Sequence, residues 1–345
     1  GAAIPAGMSA LEYHVREGAL RGYEPNPSIK RQIVRTPEME AELKTVLVVA
    51  HSAGDRIFGS ERSLLDVLSG IERTRYRVVL ALPTPSLRYV EAVRHLVDRV
   101  VRCKRRWWQA HDGPHRETVN YFRNLMQREN VDLLYGNTIM LNEAFVAAGE
   151  LGVPTVCHVR EMIDTDTDLQ AAIGLPPSKI VDAVLDRSDY IVANSEVTAR
   201  LFHKPERVFT VNNAVDTTAL DMPQRPRTGR LRVGMLSSNI AKKGVNDLYA
   251  LAKAADRLDL PVDFVAYGPE TEDVQKIKAE IESRGGPDNI FFPGYSESAA
   301  DAIRDLDVVV VLSRFAESFG RTAAEGMAAR RPVIAYDHGA LPSVI

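Results

Sequence analysis

The sequence predicts an α/β fold of two doubly wound domains facing each other across a cleft. Three observations predict it. Short Val-rich runs alternate with stretches whose apolar residues recur at helical spacing; the alternation breaks once, at a segment holding two prolines and a glycine, and then restarts; and 345 residues exceed what one core usually holds.

Composition narrows the class of protein. Hydrophobic content of 45% with 26% charged residues describes a globular chain and excludes wholesale disorder. Forty-three Lys and Arg against 46 Asp and Glu give a net charge of −3, which offers a nucleic-acid partner no basic footprint. No apolar run approaches the roughly 18 residues of a membrane-spanning helix. The opening GAAIPAGMSALEYHV lacks a charged region followed by an apolar stretch, so it does not read as a secretory signal. With only Cys103 and Cys157, a disulfide framework is excluded, the absence of metal-ligand spacing argues against a zinc site, and a reducing, cytoplasmic location is expected.

Residues 1–44 are polar and interrupted by Pro25 and Pro27, and read as an N-terminal arm. The first domain, 45–216, opens with TVLVVA (45–50), a strand buried on both faces. A Gly-containing loop leads into a helix with Leu64, Leu68 and Ile71 on one face. YRVVLALP (76–83) is the next strand, and ETVNYFRNLMQRE (117–129) a helix burying Val119, Phe122 and Met126. VDLLYGN (131–137), PTVCHV (154–159), DYIVANS (189–195) and FTVNNAVD (209–216) complete the series of strands. Residues 217–230, TTALDMPQRPRTGR, lack apolar periodicity and read as a linker. In the second domain, 231–345, LRVGML (231–236) precedes a helix with Leu248, Leu251, Ala255 and Leu258 on one face. VDFVAYG (262–268), a helix burying Val274, Ile277 and Ile281, then NIFFPG (289–294), DVVVVLS (307–313) and RPVIAYD (331–337) follow. The chain stops at Ile345, soon after a strand, so this domain reads as incomplete.

Function in such folds gathers at the carboxyl ends of the strands. The most informative stretch there is DVVVVLSRFAESFGRTAAEGMAARRPVIAYDHGALPSVI. Glu317 falls in the loop after a buried strand, and Ser318, Phe319 and Gly320 turn the chain into a helix carrying Glu325. A helix start offers backbone N–H groups and a positive dipole end to a phosphate, and Gly320 permits close approach to the backbone. Two carboxylates beside it can accept hydrogen bonds from the vicinal hydroxyls of a sugar. A pair of surface glutamates on an amphipathic helix is the bland alternative.

This stretch resembles the nucleotide-sugar site of retaining glycosyltransferases of the large group-1 family, which have the two-domain, Rossmann-like GT-B fold. The family signature is two Glu separated by seven residues, matched by Glu317 and Glu325. FGSERSLL (58–65) is similar to the family's Gly-Gly-Ala-Glu turn, with Gly59 and Glu61 aligned. TVCHVRE (155–161) resembles the strand end whose His, here His158, faces the cleft. YIVANSE (190–196), VNNAVD (211–216) and KKGVNDL (242–248) resemble further family segments in the same order.

The resemblance implies roles for individual residues. Glu325 binds the nucleotide ribose; Glu317 and the N–H groups of Phe319 and Gly320, with Ser318 beside them, hold the transferred sugar. Lys243 neutralises the diphosphate, Gly59 lets the first domain's loop approach it, and His158 meets the donor sugar. Arg160, Glu161 and Asn137 are candidates for the acceptor side. Where the family usually has an Arg sharing the diphosphate, this chain has Ser238, and Lys242 is a candidate substitute. Ala214 replaces a Gly, and Ser343 stands where a Glu often follows Pro. An ammonium and helix N–H groups can stabilise the leaving diphosphate without a metal, so no metal and no cofactor beyond the nucleotide sugar is expected.

Two further segments carry alternatives. DTDTD (164–168) has an Asp-x-Asp pattern and reads as a solvated loop, an acceptor contact or a metal site. From Arg94 to Asn130 nine Lys and Arg face four Asp and Glu, and the segment Arg102–Trp108 suits peripheral membrane contact or a basic loop with one Trp packed inward. The expected activity is transfer of a sugar from a nucleotide diphosphate to a glycan or lipid-linked acceptor with retention. The competing readings are a sugar-nucleotide-binding scaffold with weak turnover, or another enzyme on the same architecture such as an epimerase.

Overall fold

The computed structural model describes residues 40–345 apart from 41, 52, 53, 55, 85, 105 and 224–228. Most of the expected N-terminal arm and the middle of the expected linker thus lie outside the described residues. The chain divides into two compact units between Asn212 and Asn213.

The first unit is a parallel sheet of seven strands: β1 Lys44–Val49, β2 Tyr76–Leu82, β3 Arg99–Arg102, β4 Val131–Gly136, β5 Thr155–Val159, β6 Tyr190–Ala193 and β7 Val208–Thr210. Their order is β3-β2-β1-β4-β5-β6-β7. β1 is therefore flanked by β2 and β4, with Val48 opposite both Leu80 and Tyr135. Its side chains alternate between two cores. Leu47 and Val49 join Phe122, Leu134 and Phe145 on one face, while Val46, Val48 and Ala50 join Leu64, Leu68 and Tyr89 on the other. That two-sided burial is why the run reads as continuously apolar. Each fully enclosed Leu or Val contributes about 1.5–3 kcal/mol.

The helices follow their sequence signals. Helix α1, Gly59–Gly70, buries Leu64 and Leu68. Helix α2, Leu87–Val93, is capped by Ser86, whose hydroxyl accepts from the Tyr89 N–H. Helix α3, Arg116–Glu129, buries Val119, Phe122 and Met126 and ends at Asn130 with φ 50°. Helix α4, Glu143–Leu151, closes on Gly152 with φ 67°.

The second unit repeats the plan with five parallel strands: β8 Leu231–Leu236, β9 Val262–Tyr267, β10 Ile290–Gly294, β11 Val308–Val311 and β12 Val333–Ala335. Their order is β10-β9-β8-β11-β12. In both sheets the chain steps outward from the first strand in one direction, then returns to its other side. The resulting switch points, β1/β4 and β8/β11, are where open α/β sheets leave a crevice at the strand ends.

Several details differ from the sequence expectations. β3 was not expected, because RVVR keeps only two apolar residues on a sheet edge; Arg99 instead pairs with the buried Glu129 at 2.8 Å. Pairing in β7 stops at Thr210, and Asp216 caps a short helix, Thr217–Leu220. Leu220 and Met222, within the expected linker, are buried in the second unit beside Ile303 and Ala329. The helix after β8 ends at Arg257, so Leu258 is exposed, and its buried face is Val245, Leu248, Tyr249, Ala252 and Ala255 rather than one containing Leu251.

Candidate active site

The switch point of the second unit brings Lys243, Ser313, Glu317 and the helix that carries Glu325 together. Lys243 ends a 3-10 turn, Ala241–Lys243, after β8. The next residue, Gly244, has φ 85°, and a Cβ there would stand 2.1 Å from the carbonyl oxygen of Leu312. Only glycine allows the lysine turn to press against the chain leaving β11. Its Nζ then donates to Oε1 of Glu317 at 2.8 Å and lies 4.3 Å from the centre of the Phe315 ring. Lys242 lies farther from that ring, at 5.5 Å.

Glu317 is held from both sides. Its backbone bridges to Gly339, its carbonyl accepts from the Ala340 N–H at 2.8 Å, and the Ser313 hydroxyl donates to Oε1. A Cβ at Gly339, where φ is 64°, would meet the Glu317 nitrogen at 2.6 Å. Both side-chain contacts fall on Oε1, so Oε2 has no protein partner among the described residues.

Glu325 lies on helix α5, Arg321–Ala328, capped by Gly320 with φ 91°. A Cβ at 320 would meet the movable end of the Leu341 side chain at 2.4 Å, so it is chiefly the left-handed conformation that favours glycine there, whether or not a ligand approaches. Thr322 ties the first turn to β8 through the Leu236 carbonyl at 3.2 Å, which sets the helix start at the switch point. Glu325 is buried and accepts from Arg321 Nε at 2.9 Å; Arg321 also donates to the Ala214 carbonyl at 3.0 Å. Phe319 is buried and Ser318 half-buried in the same loop. Ser238 sits half-buried beside Asn239, whose φ is 52°. Ala214 has no positive φ, so replacing glycine there carries no strain.

In the first unit the candidates also gather at strand ends. Glu61, buried in α1, accepts from the Phe58 N–H at 3.1 Å and faces His51 Nε2 at 3.4 Å. Burial pushes its carboxyl up, but His51 and the surrounding donors outweigh that and hold it below the usual range. Gly59 is exposed at the start of α1, with open space around a Cβ position. His158 is buried in β5, with Nδ1 2.6 Å from the Tyr135 hydroxyl. Burial drives its pKa down to about 3, and the nearby Arg160 charge adds to this. Arg160 Nη1 donates to Asn137 Oδ1 at 3.5 Å, and its backbone N–H donates to Glu161 Oε2 at 2.8 Å. The other Glu161 oxygen takes the Thr138 hydroxyl.

The remaining sequence candidates resolve differently. Asp166 of DTDTD caps the helix Thr167–Ile173 by accepting from the Leu169 N–H. Trp108 is buried beneath Arg187, whose guanidinium stands 4.1 Å from its ring, whereas Trp107 is 58% exposed. Arg105 lies outside the described residues. No described helix is long and apolar enough to cross a membrane. Arg321, Ser313, Gly339 and Tyr135 escaped the sequence reading; of these only Arg321, four residues before Glu325 on one helix face, left a signal.

The family model for glycosyl transferases group 1 matches residues 219–345, and that for glycosyltransferase family 4 matches 57–219. Over 132 residues the chain is 30% identical to poly(ribitol-phosphate) alpha-N-acetylglucosaminyltransferase of Staphylococcus aureus, covering 38% of this chain and 26% of that protein. Over 233 residues it is 25% identical to D-inositol 3-phosphate glycosyltransferase of Nocardioides sp., covering 58% and 51% respectively. The chain thus spans about a quarter to a half of these curated relatives. Among solved structures, Anabaena HepE in complex with UDP and glucose superposes with a TM-score of 0.68 at 16% identity, over 87% of this chain and 83% of that one. At that identity the likeness shows the fold.

Proposed function

The chain belongs to the group-1 glycosyltransferases, and on that premise we propose that it transfers a sugar from a nucleotide diphosphate to a hydroxyl-bearing acceptor, with retention and without a metal. The observation that carries the reading is the Lys243–Glu317 contact at the β8/β11 switch point, beside the start of α5.

Breaking a sugar–phosphate bond leaves an electron-poor anomeric carbon and loads negative charge onto the departing diphosphate. The Lys243 ammonium and the N–H groups at the start of α5 meet that charge. They are fixed before the donor arrives, one by Gly244 against Leu312 and the other by Thr322 on Leu236, so little reorganisation opposes the reaction. Glu317 Oε2 accepts from hydroxyls of the transferred sugar, together with the loop of Ser318, Phe319 and Gly320. Glu325 takes the ribose hydroxyls, held in place by Arg321. Retention follows from attack on the face the leaving phosphate vacates, with a phosphate oxygen receiving the proton of the acceptor hydroxyl.

Ser238 supplies no second cation, and Lys242 is assigned that part because it shares the Phe315 ring with Lys243. In the first unit, Gly59 and His158 are assigned to the donor, and Asn137, Arg160 and Glu161 to the acceptor. Both curated relatives named above carry a phosphorylated polyol in their names, which favours an acceptor of that kind. Peripheral membrane contact rests on exposed Lys104, Arg106 and Trp107, and co-sedimentation of Trp107→Ala with anionic vesicles tests it.

Incubation with UDP-, GDP-, ADP- and CDP-sugars in the presence of EDTA tests the main reading. Release of one nucleoside diphosphate, with the anomeric configuration of the product unchanged by NMR, is expected. Saturable binding without release would favour a scaffold, and inversion at the anomeric carbon would refute retention.

A further inference from the structure

At adjacent strand ends of the first unit, two buried polar atoms have no partner among the described residues. Gly136 of β4 stands opposite Cys157 of β5, so Asn137 and His158 lie side by side one residue further along. They are 0% and 2% exposed. Asn137 Nδ2 and His158 Nε2 have no hydrogen-bond partner among the described residues.

The hydrogen-bond inventory settles what these atoms are. A guanidinium only donates, so the atom of Asn137 facing Arg160 is its carbonyl oxygen, and the unmatched atom is the NH2. A neutral imidazole carries one proton, on the nitrogen its surroundings select. Were that proton on Nδ1, it would point at the Tyr135 oxygen, and the phenol hydrogen would need another acceptor. Tyr135 is half-buried and makes no other hydrogen bond among the described residues, so that tautomer would leave its hydroxyl hydrogen without a protein acceptor. With the phenol donating to Nδ1, its hydrogen is matched and the imidazole proton sits on Nε2, which leaves Nε2–H alone without a partner among the described residues, whereas the other tautomer leaves both the phenol hydrogen and Nε2 unmatched. The two rings meet edge to face, 5.8 Å apart at 76°, which holds this orientation.

We infer that Tyr135 is a positioning residue: its hydroxyl fixes His158 as an Nε2–H donor, so that the ends of β4 and β5 offer a ligand two N–H donors, from His158 and Asn137. The group received there is an oxygen that accepts hydrogen bonds, such as a sugar hydroxyl or a phosphate oxygen, and His158 does not serve as a general base. That substrate reaches these atoms rests on the transferase reading; the tautomer belongs to the folded chain alone.

The test is long-range 1H–15N correlation on the 15N-histidine-labelled chain at neutral pH, with the His158 signals among the eight histidines identified by their loss in His158→Gln. Nδ1 in the unprotonated range and Nε2 in the protonated range are expected, and Tyr135→Phe is expected to give a mixture of tautomers. Protonated Nδ1 in the wild-type chain, or an unchanged tautomer in Tyr135→Phe, would overturn the inference; the wild-type spectrum decides even if the variant does not fold. In nucleotide release, His158→Gln, whose amide can place an N–H near the Nε2 position, is expected to exceed His158→Asn at least tenfold. The reverse order would remove the donor role, whereas a wild-type chain with the expected tautomer and no turnover would count against the transferase reading alone.

Discussion

The ammonium of Lys243 stands 2.8 Å from Oε1 of Glu317, although 74 positions separate them in the chain. The pairing sets an ammonium against a carboxylate at the switch point, and in the proposed reaction Lys243 meets the charge of the incoming diphosphate. Lys243→Met keeps the stem and removes that charge. Its kcat is expected to fall by about 10²–10³-fold, while Lys242→Met falls less than about tenfold. Steady-state release of nucleoside diphosphate compares them, and equal losses would show that the two lysines act alike.

Arg321 holds Glu325 at 2.9 Å and reaches the Ala214 carbonyl, so it braces the carboxylate assigned to the ribose. Arg321→Gln is expected to weaken nucleoside diphosphate binding by about tenfold, or ~1.4 kcal/mol, with kcat little changed. Calorimetric titration beside kinetics checks the split; an unchanged Kd with reduced kcat would reassign Arg321 to the chemical step.

Much of this site is visible in the sequence, and what is hidden is instructive. Glu317, Glu325 and Lys243 stand out because their spacing and their glycine neighbours survive as local patterns. Gly339 does not, since its demand for glycine comes from the Glu317 backbone 22 positions earlier, which is adjacent only in the folded sheet. Ser313 and Tyr135 are hidden for the same reason: an ordinary hydroxyl gains meaning only from the partner that folding brings to it. The two doubly wound sheets were legible from their Val-rich strands, whereas β3 was not, because its end residues are arginines and its partners lie on β2. The basic segment reads as a loop with one Trp packed inward, but only the folded chain, with Arg187 over its ring, shows that the one is Trp108.

Gly244 and Gly320 both occupy the left-handed region, but their surroundings differ. A Cβ at 244 would strike the Leu312 backbone, whereas at 320 it would strike the movable end of the Leu341 side chain. Gly244→Ala is expected to lose about 3 kcal/mol or more from combined strain and overlap, and Gly320→Ala about 1–2 kcal/mol. Urea unfolding orders them; equal losses would mean that the lysine turn can move away from β11.

Glu129, 4% exposed, accepts from Arg77 and Arg99 at 2.8 Å and from Arg128 at 3.2 Å. Burial raises its pKa, but the three guanidinium groups more than reverse this and hold it below 4.5. Its folded pKa lies under its unfolded one, so its stabilisation is present above about pH 4.5 and is lost as pH falls through the folded value. Glu129→Gln should lower stability at pH 7 by about 3 kcal/mol and flatten the acid limb of the stability profile. Urea midpoints between pH 3 and 7 test this; parallel profiles for the two proteins would contradict it.

The account turns on a diphosphate seated between Lys243 and the start of α5. Calorimetric titration of the wild-type chain and of Lys243→Met with UDP, GDP, ADP and CDP measures this directly. One nucleotide binding the wild type, and binding the variant at least about tenfold more weakly, is the predicted result. No binding by any of the four, or equal affinity in both proteins, would contradict it.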